Sequence, residues 1–233
     1  MKLLDLHEYL SALPYPGRGV LLGRAPDGER SVAAYFIMGR SENSRNRVFE
    51  TTEDGIRTRA FDPSKMTDPS LIIYHPVRAF GRSLIVTTGD QTDTVLSFLE
   101  RGLPMEEALR TRQFEPDSPN WTPRVSGLLT GDGSYKLSIL KAADDAGTAC
   151  LRQTFEYPPL AGEGHLIHTY QGKQSPLPSF EGEPRPVALT EDSPRALADL
   201  IWSALDPDNR VSLYVAFLSP DGKPDSVIIN ARG

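Results

Sequence analysis

Turn-forming residues divide the apolar part of this sequence into short runs. The chain has 19 glycines and 20 prolines among 233 residues, more than average proteins contain. Motifs such as Pro26-Asp27-Gly28 and Gly131-Asp132-Gly133 stand between apolar runs. Because such motifs form tight turns, we expect many short strands joined as hairpins rather than a helical bundle. No apolar run approaches the ~20 residues that cross a bilayer, so we expect no membrane contact.

The pattern of apolar residues places the elements along the chain. We predict strands at 19–22, 31–38, 71–75, 83–88, 125–130, 135–140, 149–155, 165–170, 212–218 and 226–230. Helical spacing predicts helices at 5–13, 92–101 and 194–205, and the Pro-rich segment 172–186 is expected to be a surface loop. Strands mostly follow strands, which favours an α+β fold with antiparallel sheets in one domain over residues 1–233.

Composition excludes several classes of function. The net charge of −6 argues against a general nucleic-acid binder. Cys150 is the only cysteine, so no intrachain disulfide forms; we expect it to be a small core residue in a reducing, cytoplasmic location. Asp5 and Glu8 interrupt the N-terminal apolar stretch, which is therefore not expected to be a signal peptide. The composition is compatible with a homo-oligomer.

Arginines gather at the open end of the first predicted hairpin. Arg18 begins its first strand, and its second strand leads into Arg40, Ser41, Asn46 and Arg47. Because a guanidinium binds phosphate through two hydrogen bonds, and neighbouring glycines let backbone N–H groups approach, the cluster predicts a phosphate site. The alternative is a solvated loop.

A second group of polar residues joins a strand to a helix. Gly89 lets a ligand approach the backbone, and Asp90, Thr92 and Asp93 follow at the start of the helix. These four residues are candidates for binding a polar ligand group. The alternative is an ordinary helix cap made by Asp90 or Thr92.

Three further residues are candidates for proton transfer or charge stabilisation. Tyr74 ends an apolar run, Glu115 lies in a loop, and Arg124 leads into a strand. Each has a structural alternative, as a core or loop residue. His165 and His168 fall on opposite faces of a strand, which is unsuitable for one metal ion, so we predict neither a metal nor another cofactor.

These segments, in this order, resemble the archaeal-type IMP cyclohydrolase family. The blocks that carry the resemblance are Tyr15-Pro16-Gly17-Arg18, Ala33-Ala34-Tyr35, Arg40-Ser41, Asn46-Arg47, the apolar run ending at Tyr74, Ile85-Val86-Thr87-Thr88-Gly89 with Thr92-Asp93, Thr122-Pro123-Arg124, and Val215-Ala216-Phe217 with Asp221-Gly222. They extend over most of the chain. The chain departs from the family pattern in a longer segment at 42–45, an N-terminal helix and the Pro-rich loop.

The resemblance implies a four-layer αββα sandwich like that of the N-terminal-nucleophile hydrolases. It also implies closure of the purine ring in inosine monophosphate (IMP) synthesis, a reaction of the hydrolase class acting on a cyclic amidine. For this chemistry Arg18, Arg40 and Arg47 would hold the phosphate, with Asn46 as an anchor; Tyr74 and Glu115 would move protons, and Arg124 would face the formyl oxygen. A non-catalytic purine-nucleotide-binding protein remains the alternative. An N-terminal-nucleophile amide hydrolase is disfavoured because Met1-Lys2 offers no nucleophile.

Overall fold

A computed structural model of the protein describes residues 2–232. The α-helices are α1 (Leu6–Ala12), α2 (Glu42–Arg45), α3 (Gln91–Glu100), α4 (Met105–Arg110) and α5 (Pro194–Ala204), with a 3-10 turn at Pro63–Lys65. The strands are β1 (Arg18–Arg24), β2 (Ser31–Met38), β3 (Arg47–Thr52), β4 (Gly55–Ala60), β5 (Val77–Phe80), β6 (Ser83–Thr87), β7 (Arg124–Leu129), β8 (Tyr135–Ala142), β9 (Cys150–Tyr157), β10 (Glu163–His168), β11 (Arg185–Ala188), β12 (Arg210–Leu218) and β13 (Pro224–Asn230). None of the helices within 2–232 is long and apolar enough to span a membrane.

The strands form two antiparallel sheets. Sheet A has six strands in the order β11-β10-β1-β2-β12-β13, and sheet B has seven in the order β3-β4-β5-β6-β7-β8-β9. The hairpin predicted around Pro26-Asp27-Gly28 is confirmed, with Arg18 opposite Ile37 and Arg24 opposite Ser31. The hairpin of β7 and β8, and that of β12 and β13, are confirmed as well.

The two sheets pack face to face, and helices lie on their outer faces. Apolar side chains of β1 and β2 meet those of β6, β7 and β8 in a core between the sheets. A second core lies between sheet A and helices α1 and α5, and a third between sheet B and helices α3 and α4. The predicted α+β class with antiparallel sheets is therefore confirmed.

Capping residues explain where the outer helices begin. Asp5 accepts a hydrogen bond from the Glu8 backbone N–H at 2.7 Å, which sets the start of α1. Ser193 accepts one from Ala196 at 3.3 Å, and Pro194 occupies the first turn of α5, where a missing N–H costs nothing. All three predicted helices are confirmed to within one residue at each end.

The predicted strand at 71–75 is wrong. Prolines bracket this apolar run, and the Ile72 and Ile73 amides both bond to the Pro69 carbonyl, so the chain turns instead of extending. The Tyr74 carbonyl still accepts a hydrogen bond from the Thr58 N–H at 2.9 Å. Tyr74 thus pairs with the part of β4 that is not paired with β5. The turn thus substitutes for a strand beside β4.

The Pro-rich segment 172–186 is not only a surface loop. Leu177 and Phe180 are buried in it, and its last two residues begin the edge strand β11. Edge strands accept proline because one side of the strand needs no ladder hydrogen bonds. Cys150, predicted in the core, begins edge strand β9 and is only half-buried.

His165 and His168 project from opposite faces of β10, as predicted. The Tyr135 hydroxyl lies 2.7 Å from Nδ1 of His165 on the face toward sheet B. On the other face, Nδ1 of His168 donates to the Tyr170 carbonyl at 2.7 Å, so Nε2 accepts from the Tyr9 hydroxyl at 2.8 Å. The hydrogen bonds of His168 therefore fit a neutral imidazole.

Stability should depend on pH through these two histidines. Burial lowers the pKa of His165 to about 4, and burial also lowers the pKa of His168 to about 4. An unfolded histidine titrates near pH ~6.5, so between there and pH ~4 the unfolded chain binds more protons than the folded one. The free energy of unfolding is expected to be highest above pH ~6.5 and to fall toward pH ~4, by up to about 1.4 kcal/mol per pH unit for each histidine.

Urea unfolding at several pH values between about 7 and 4.5 measures this loss. The His165→Gln, His168→Gln double variant is the comparison, because it keeps the acidic residues that also titrate in this range. Equal pH dependence in the wild type and the double variant would contradict the expectation.

Candidate functional site

One end of the sandwich brings together residues from distant parts of the sequence. Because β1 and β2 are antiparallel, the start of β1 lies beside the end of β2, and β10 ends at the same level. In sheet B, β6 ends opposite the start of β7. The loops that follow these strand ends surround a cavity of about 250 Å³. Its walls include Tyr15, Arg18, Ser41, Asn43, Ser44, Arg47, Glu115, Asp117, Thr122 and Tyr170.

A buried ion pair lies in the wall of this cavity. Nη1 of Arg18 donates to Oε1 of Glu115 at 2.8 Å and to the Thr88 carbonyl at 2.5 Å. Burial lowers the pKa of Arg18, but the Glu115 carboxylate outweighs that effect, and the net pKa lies well above the usual value. Arg18 is therefore a permanent cation. Within residues 2–232 only Nη1 of its guanidinium is engaged by side-chain or backbone acceptors, and Nε and Nη2 remain available.

A second arginine lies close behind Glu115. Nη1 of Arg124 donates to Asp90 at 2.5 Å and to Gln91 Oε1 at 2.8 Å. Burial raises the pKa of Asp90, but the guanidinium groups of Arg112 and Arg124 lower this pKa by a larger amount, so the net pKa is below the usual value. Asp90 is thus committed to two arginines and makes no side-chain cap on α3. Arg124 is not part of the cavity wall described above.

Protein side chains lie against Gly89, and the predicted approach of a ligand to its backbone stays a prediction. A Cβ at this position would lie 2.5 Å from Nη1 of Arg124 and 3.5 Å from Oε1 of Glu115. Glycine therefore leaves room for the two charged side chains to lie against the turn. Thr92 is fully buried and binds Thr87 and the Gly89 carbonyl, whereas Asp93 faces outward and pairs with Arg78 at 3.0 Å.

Arg40 and Arg47, the two predicted phosphate ligands that follow β2, have different surroundings. Arg47 is buried in the cavity wall, where its Nε donates to the Ser44 carbonyl at 2.8 Å and no carboxylate among the described residues pairs with it. Arg40 is exposed and lies over the Tyr15 ring, 5.1 Å from its centroid. Asn46 is fully buried and bonds to the Asp62 backbone through both its amide oxygen and its amide nitrogen. The structure thus brings Arg18 and Arg47 to one cavity, with Arg40 behind Tyr15.

Sequence reasoning did not assign a role to Tyr15, Thr122 or Tyr170 of the wall. The rings of Tyr15 and Tyr170 stack with centroids 6.0 Å apart. The Tyr170 hydroxyl bonds to Thr122, whose own hydroxyl and N–H bond to Asp117. Burial raises the pKa of Tyr15 more than the nearby arginines lower it, so the phenol is protonated at neutral pH. Tyr15 and Thr122 lie inside the sequence blocks that carry the family resemblance. Membership of these blocks was the signal that could have identified the two residues.

Tyr74 is buried beside the cavity rather than in its described wall. Its hydroxyl lies 2.7 Å from the Tyr35 hydroxyl, and its backbone N–H donates to Thr58. Burial and the neighbouring Tyr74 raise the pKa of Tyr35 well above its usual value, although Arg18 opposes them. The Tyr35 hydroxyl therefore stays protonated and forms a hydrogen-bonded pair with the Tyr74 hydroxyl near Arg18. In the part of the chain that is described, no cluster of His, Cys, Asp or Glu could hold a metal ion.

Comparison with known proteins shows the family to which the chain belongs. A family model described as IMP cyclohydrolase-like protein matches residues 15–223. The chain belongs to the IMP cyclohydrolase-like family. The match begins at Tyr15 in the cavity wall and includes Arg18, Arg47, Glu115 and Arg124.

Several curated relatives in this family come from archaea. The chain is 32% identical over 169 residues to the IMP cyclohydrolase of Methanopyrus kandleri, covering 71% of this chain and 79% of the relative. It is also 32% identical to the enzyme of the same name from Halobacterium salinarum, over 55% of this chain and 63% of the relative. The match to the Methanococcus maripaludis IMP cyclohydrolase, again 32% identical, covers 52% of this chain and 61% of the relative.

Proposed function

We propose that the protein is an IMP cyclohydrolase, which closes the ring of 5-formamidoimidazole-4-carboxamide ribonucleotide to give IMP and water in purine biosynthesis. The observation that carries the proposal is the Arg18–Glu115 pair, buried in the wall of a cavity that also holds the unpaired cation Arg47. The chain's membership of the IMP cyclohydrolase-like family supports it. The reaction requires a base, a cation for the developing oxyanion and an anchor for the phosphate.

Glu115 is the proposed proton-transfer group. The carboxamide nitrogen attacks the formyl carbon, forming the new C–N bond while the formyl C=O π electrons move to oxygen. Glu115 accepts the proton that the nitrogen loses and passes it to the oxyanion, which becomes a hydroxyl group. The second proton on this oxygen comes from the formamido N–H, whose electron pair forms the C=N bond of the purine ring as the C–O bond breaks and water leaves. Because the carboxylate is buried against a cation, its position is fixed before the substrate binds, which lowers the cost of reaching the reactive geometry.

Arg18 is the proposed site of oxyanion stabilisation. Its Nη1 holds Glu115 and the Thr88 carbonyl, and the two remaining donor groups, Nε and Nη2, are free to face the formyl oxygen. Buried donors of this kind stabilise developing charge more strongly than water does. The role predicted for Arg124 at the formyl oxygen stays a prediction. The contacts of Arg124 with Asp90 and Gln91 suit it to supporting the part of the cavity wall that contains Glu115.

The phosphate is proposed to lie at Arg47, with Ser41 beside it and Arg40, which lies over the Tyr15 ring, as a further cation. Arg47 carries a charge that no carboxylate neutralises among the described residues, whereas Arg18 is already paired. A phosphate stabilises a cation that has no carboxylate partner more strongly than a cation that is already paired with a carboxylate. The ribonucleotide therefore spans from Arg47 to Glu115. Asn46, Gly89, Asp90, Thr92 and Asp93 stay predictions as substrate contacts.

Turnover of the formamido ribonucleotide is the direct test. The purified protein is incubated with this substrate, and the absorbance of the purine product is followed, with IMP identified by chromatography. Formation of IMP at a rate proportional to protein concentration is expected. Tight IMP binding without any turnover would favour the alternative, a non-catalytic purine-nucleotide-binding protein.

Tyr74 is proposed to assist proton transfer through the Tyr35–Tyr74 hydroxyl pair near Arg18. The Tyr74→Phe variant keeps the ring and removes the hydroxyl, so turnover should fall by roughly 10²-fold while IMP affinity changes little. Turnover per folded molecule, IMP affinity and melting temperature are measured together. Wild-type turnover with a lower melting temperature would show that the hydroxyl pair only supports the fold.

We also propose that the layers of helix, sheet, sheet and helix form a sandwich of the N-terminal-nucleophile hydrolase type, in one domain and in the cytoplasm. The positions of the three cores support the layer order. The fold is tested by comparing an experimental structure with such hydrolases, and the location by cell fractionation.

A further inference from the structure

Thr58 of β4 makes the hydrogen bonds that hold the turn at residues 69–74 against sheet B. The ladder between β4 and β5 ends at Ile56, so the side of Thr58 that faces away from β3 has no strand beside it. There the Thr58 N–H donates to the Tyr74 carbonyl at 2.9 Å. The Thr58 hydroxyl accepts from the Tyr74 N–H at 2.8 Å and donates to the Ile72 carbonyl at 2.8 Å. This one buried side chain therefore binds the turn at two points.

The other main-chain hydrogen bonds of this turn are internal to it. The Ile72 and Ile73 amides both donate to the Pro69 carbonyl, which sets the shape of the turn but does not attach it to the sheet. Within residues 2–232, the main chain of 71–74 is hydrogen-bonded to the rest of the protein through Thr58 alone. The place of the turn on sheet B therefore depends on this residue.

The turn supplies side chains to the cavity and to the tyrosine hydroxyl pair. Leu71 and Ile72 lie in the cavity wall. The Tyr74 hydroxyl lies 2.7 Å from the Tyr35 hydroxyl, near Arg18. Misplacing a catalytic group by about 1 Å can slow a reaction by roughly 10²-fold. The position of this turn therefore matters for the proposed chemistry.

We propose that Thr58 is a positioning residue, whose hydroxyl holds the turn so that the Tyr74 hydroxyl stays beside Tyr35 and Arg18. This inference rests on the proposed function, because it uses the role of Tyr74 in proton transfer. Thr58 lies outside the cavity wall, so it acts through Tyr74 and does not touch the substrate. The hydroxyl is required because it both accepts and donates a hydrogen bond, which serine can also do and valine cannot.

Turnover of single and double variants tests whether Thr58 acts through Tyr74. Thr58→Val keeps the branched shape and removes the hydroxyl, so turnover per folded molecule should fall roughly 10-fold. Thr58→Ser keeps the hydroxyl and should turn over nearly as fast as the wild type. In a Tyr74→Phe background, Thr58→Val should slow turnover little, because the group that it positions is already absent. The same loss in that background as in the wild type, or equal losses for the valine and serine variants, would overturn the proposal.

Ser138→Ala is the matched control for loss of a buried hydroxyl. Ser138 lies in β8 of sheet B, outside the cavity wall, and its hydroxyl donates to the Gln153 carbonyl at 2.8 Å. Melting temperature should fall for both Ser138→Ala and Thr58→Val, because each removes a buried hydroxyl that binds a main-chain carbonyl. Turnover per folded molecule should fall only for Thr58→Val. An equal loss of turnover in Ser138→Ala would overturn the positioning role.

Amide hydrogen exchange separates failure of this inference from failure of the proposed function, because it needs no substrate. The Tyr74 amide should exchange faster in Thr58→Val than in the wild type, and at nearly the wild-type rate in Thr58→Ser. Unchanged exchange in Thr58→Val would overturn the inference even if the wild type forms IMP. Faster exchange in Thr58→Val, together with a wild type that forms no IMP, would support the attachment of the turn by Thr58 and overturn the enzymatic function.

Discussion

Replacing Glu115 by glutamine is expected to slow ring closure by about 10²- to 10⁴-fold, the range typical for loss of a general base. The amide keeps the shape of the side chain and can still accept the Arg18 hydrogen bond, but it cannot take a proton from the attacking nitrogen. IMP affinity should change far less than turnover, because the proposed phosphate contact at Arg47 is intact.

The measurement is turnover per folded molecule, with the folded fraction checked by circular dichroism. This check matters because removing one charge of a buried pair destabilises the fold. Glu107→Gln is the control: it neutralises a partly exposed carboxylate of α4, paired with Arg110, and should turn over like the wild type. Turnover of Glu115→Gln within threefold of wild type would show that another group accepts the proton.

The second large effect is expected at Arg47. A charge-assisted hydrogen bond contributes about 1.5–3 kcal/mol, so Arg47→Gln should weaken IMP binding by roughly 10- to 100-fold. Inosine lacks the phosphate, and its affinity should be nearly the same for the wild type and the variant. The difference between the two ligands isolates the phosphate from any general change in the cavity.

Two other arginine variants give the scale of this effect. Arg195→Gln removes an exposed charge from α5, paired there with Asp199, and should not alter the affinity for either ligand. Arg40→Gln should weaken IMP binding less than Arg47→Gln, because Arg40 is exposed and its charge is screened by solvent. Loss of inosine and IMP affinity to the same degree in Arg47→Gln would place the phosphate elsewhere.

The sequence contains much of the fold because turn motifs mark the hairpins. Pro26-Asp27-Gly28 predicted the β1–β2 hairpin, and that hairpin in turn predicted that Arg18 would lie near Arg47. The failure at 71–75 has a physical reason. Its apolar residues suit a strand, but Pro69 accepts two backbone N–H groups and closes a turn, a tertiary preference that periodicity does not contain.

The sequence predicted less of the candidate site than of the fold, again because tertiary contacts determine it. The family blocks located Arg18 and Arg124, and Glu115 was singled out as a loop carboxylate, but their partners come from positions up to about a hundred residues away, as the pairing of Arg18 with Glu115 illustrates. The hairpin of β3 and β4 was missed as well. Its strands, RVFETT and GIRTRA, contain few apolar residues, so the apolar pattern did not mark them as strands.

The hydrogen bond from Arg18 to the Thr88 carbonyl joins the two sheets directly, since Arg18 begins β1 of sheet A and Thr88 follows β6 of sheet B. Glu115, which shares the same nitrogen, lies in the loop that leads into β7 of sheet B. A nucleotide bound at this pair, as proposed above, would contact both halves of the sandwich at once. Separating the sheets, even locally, would destroy the binding site, so ligand binding makes their unfolding more cooperative. Slow amide hydrogen exchange should consequently extend through both sheets when the cavity is occupied.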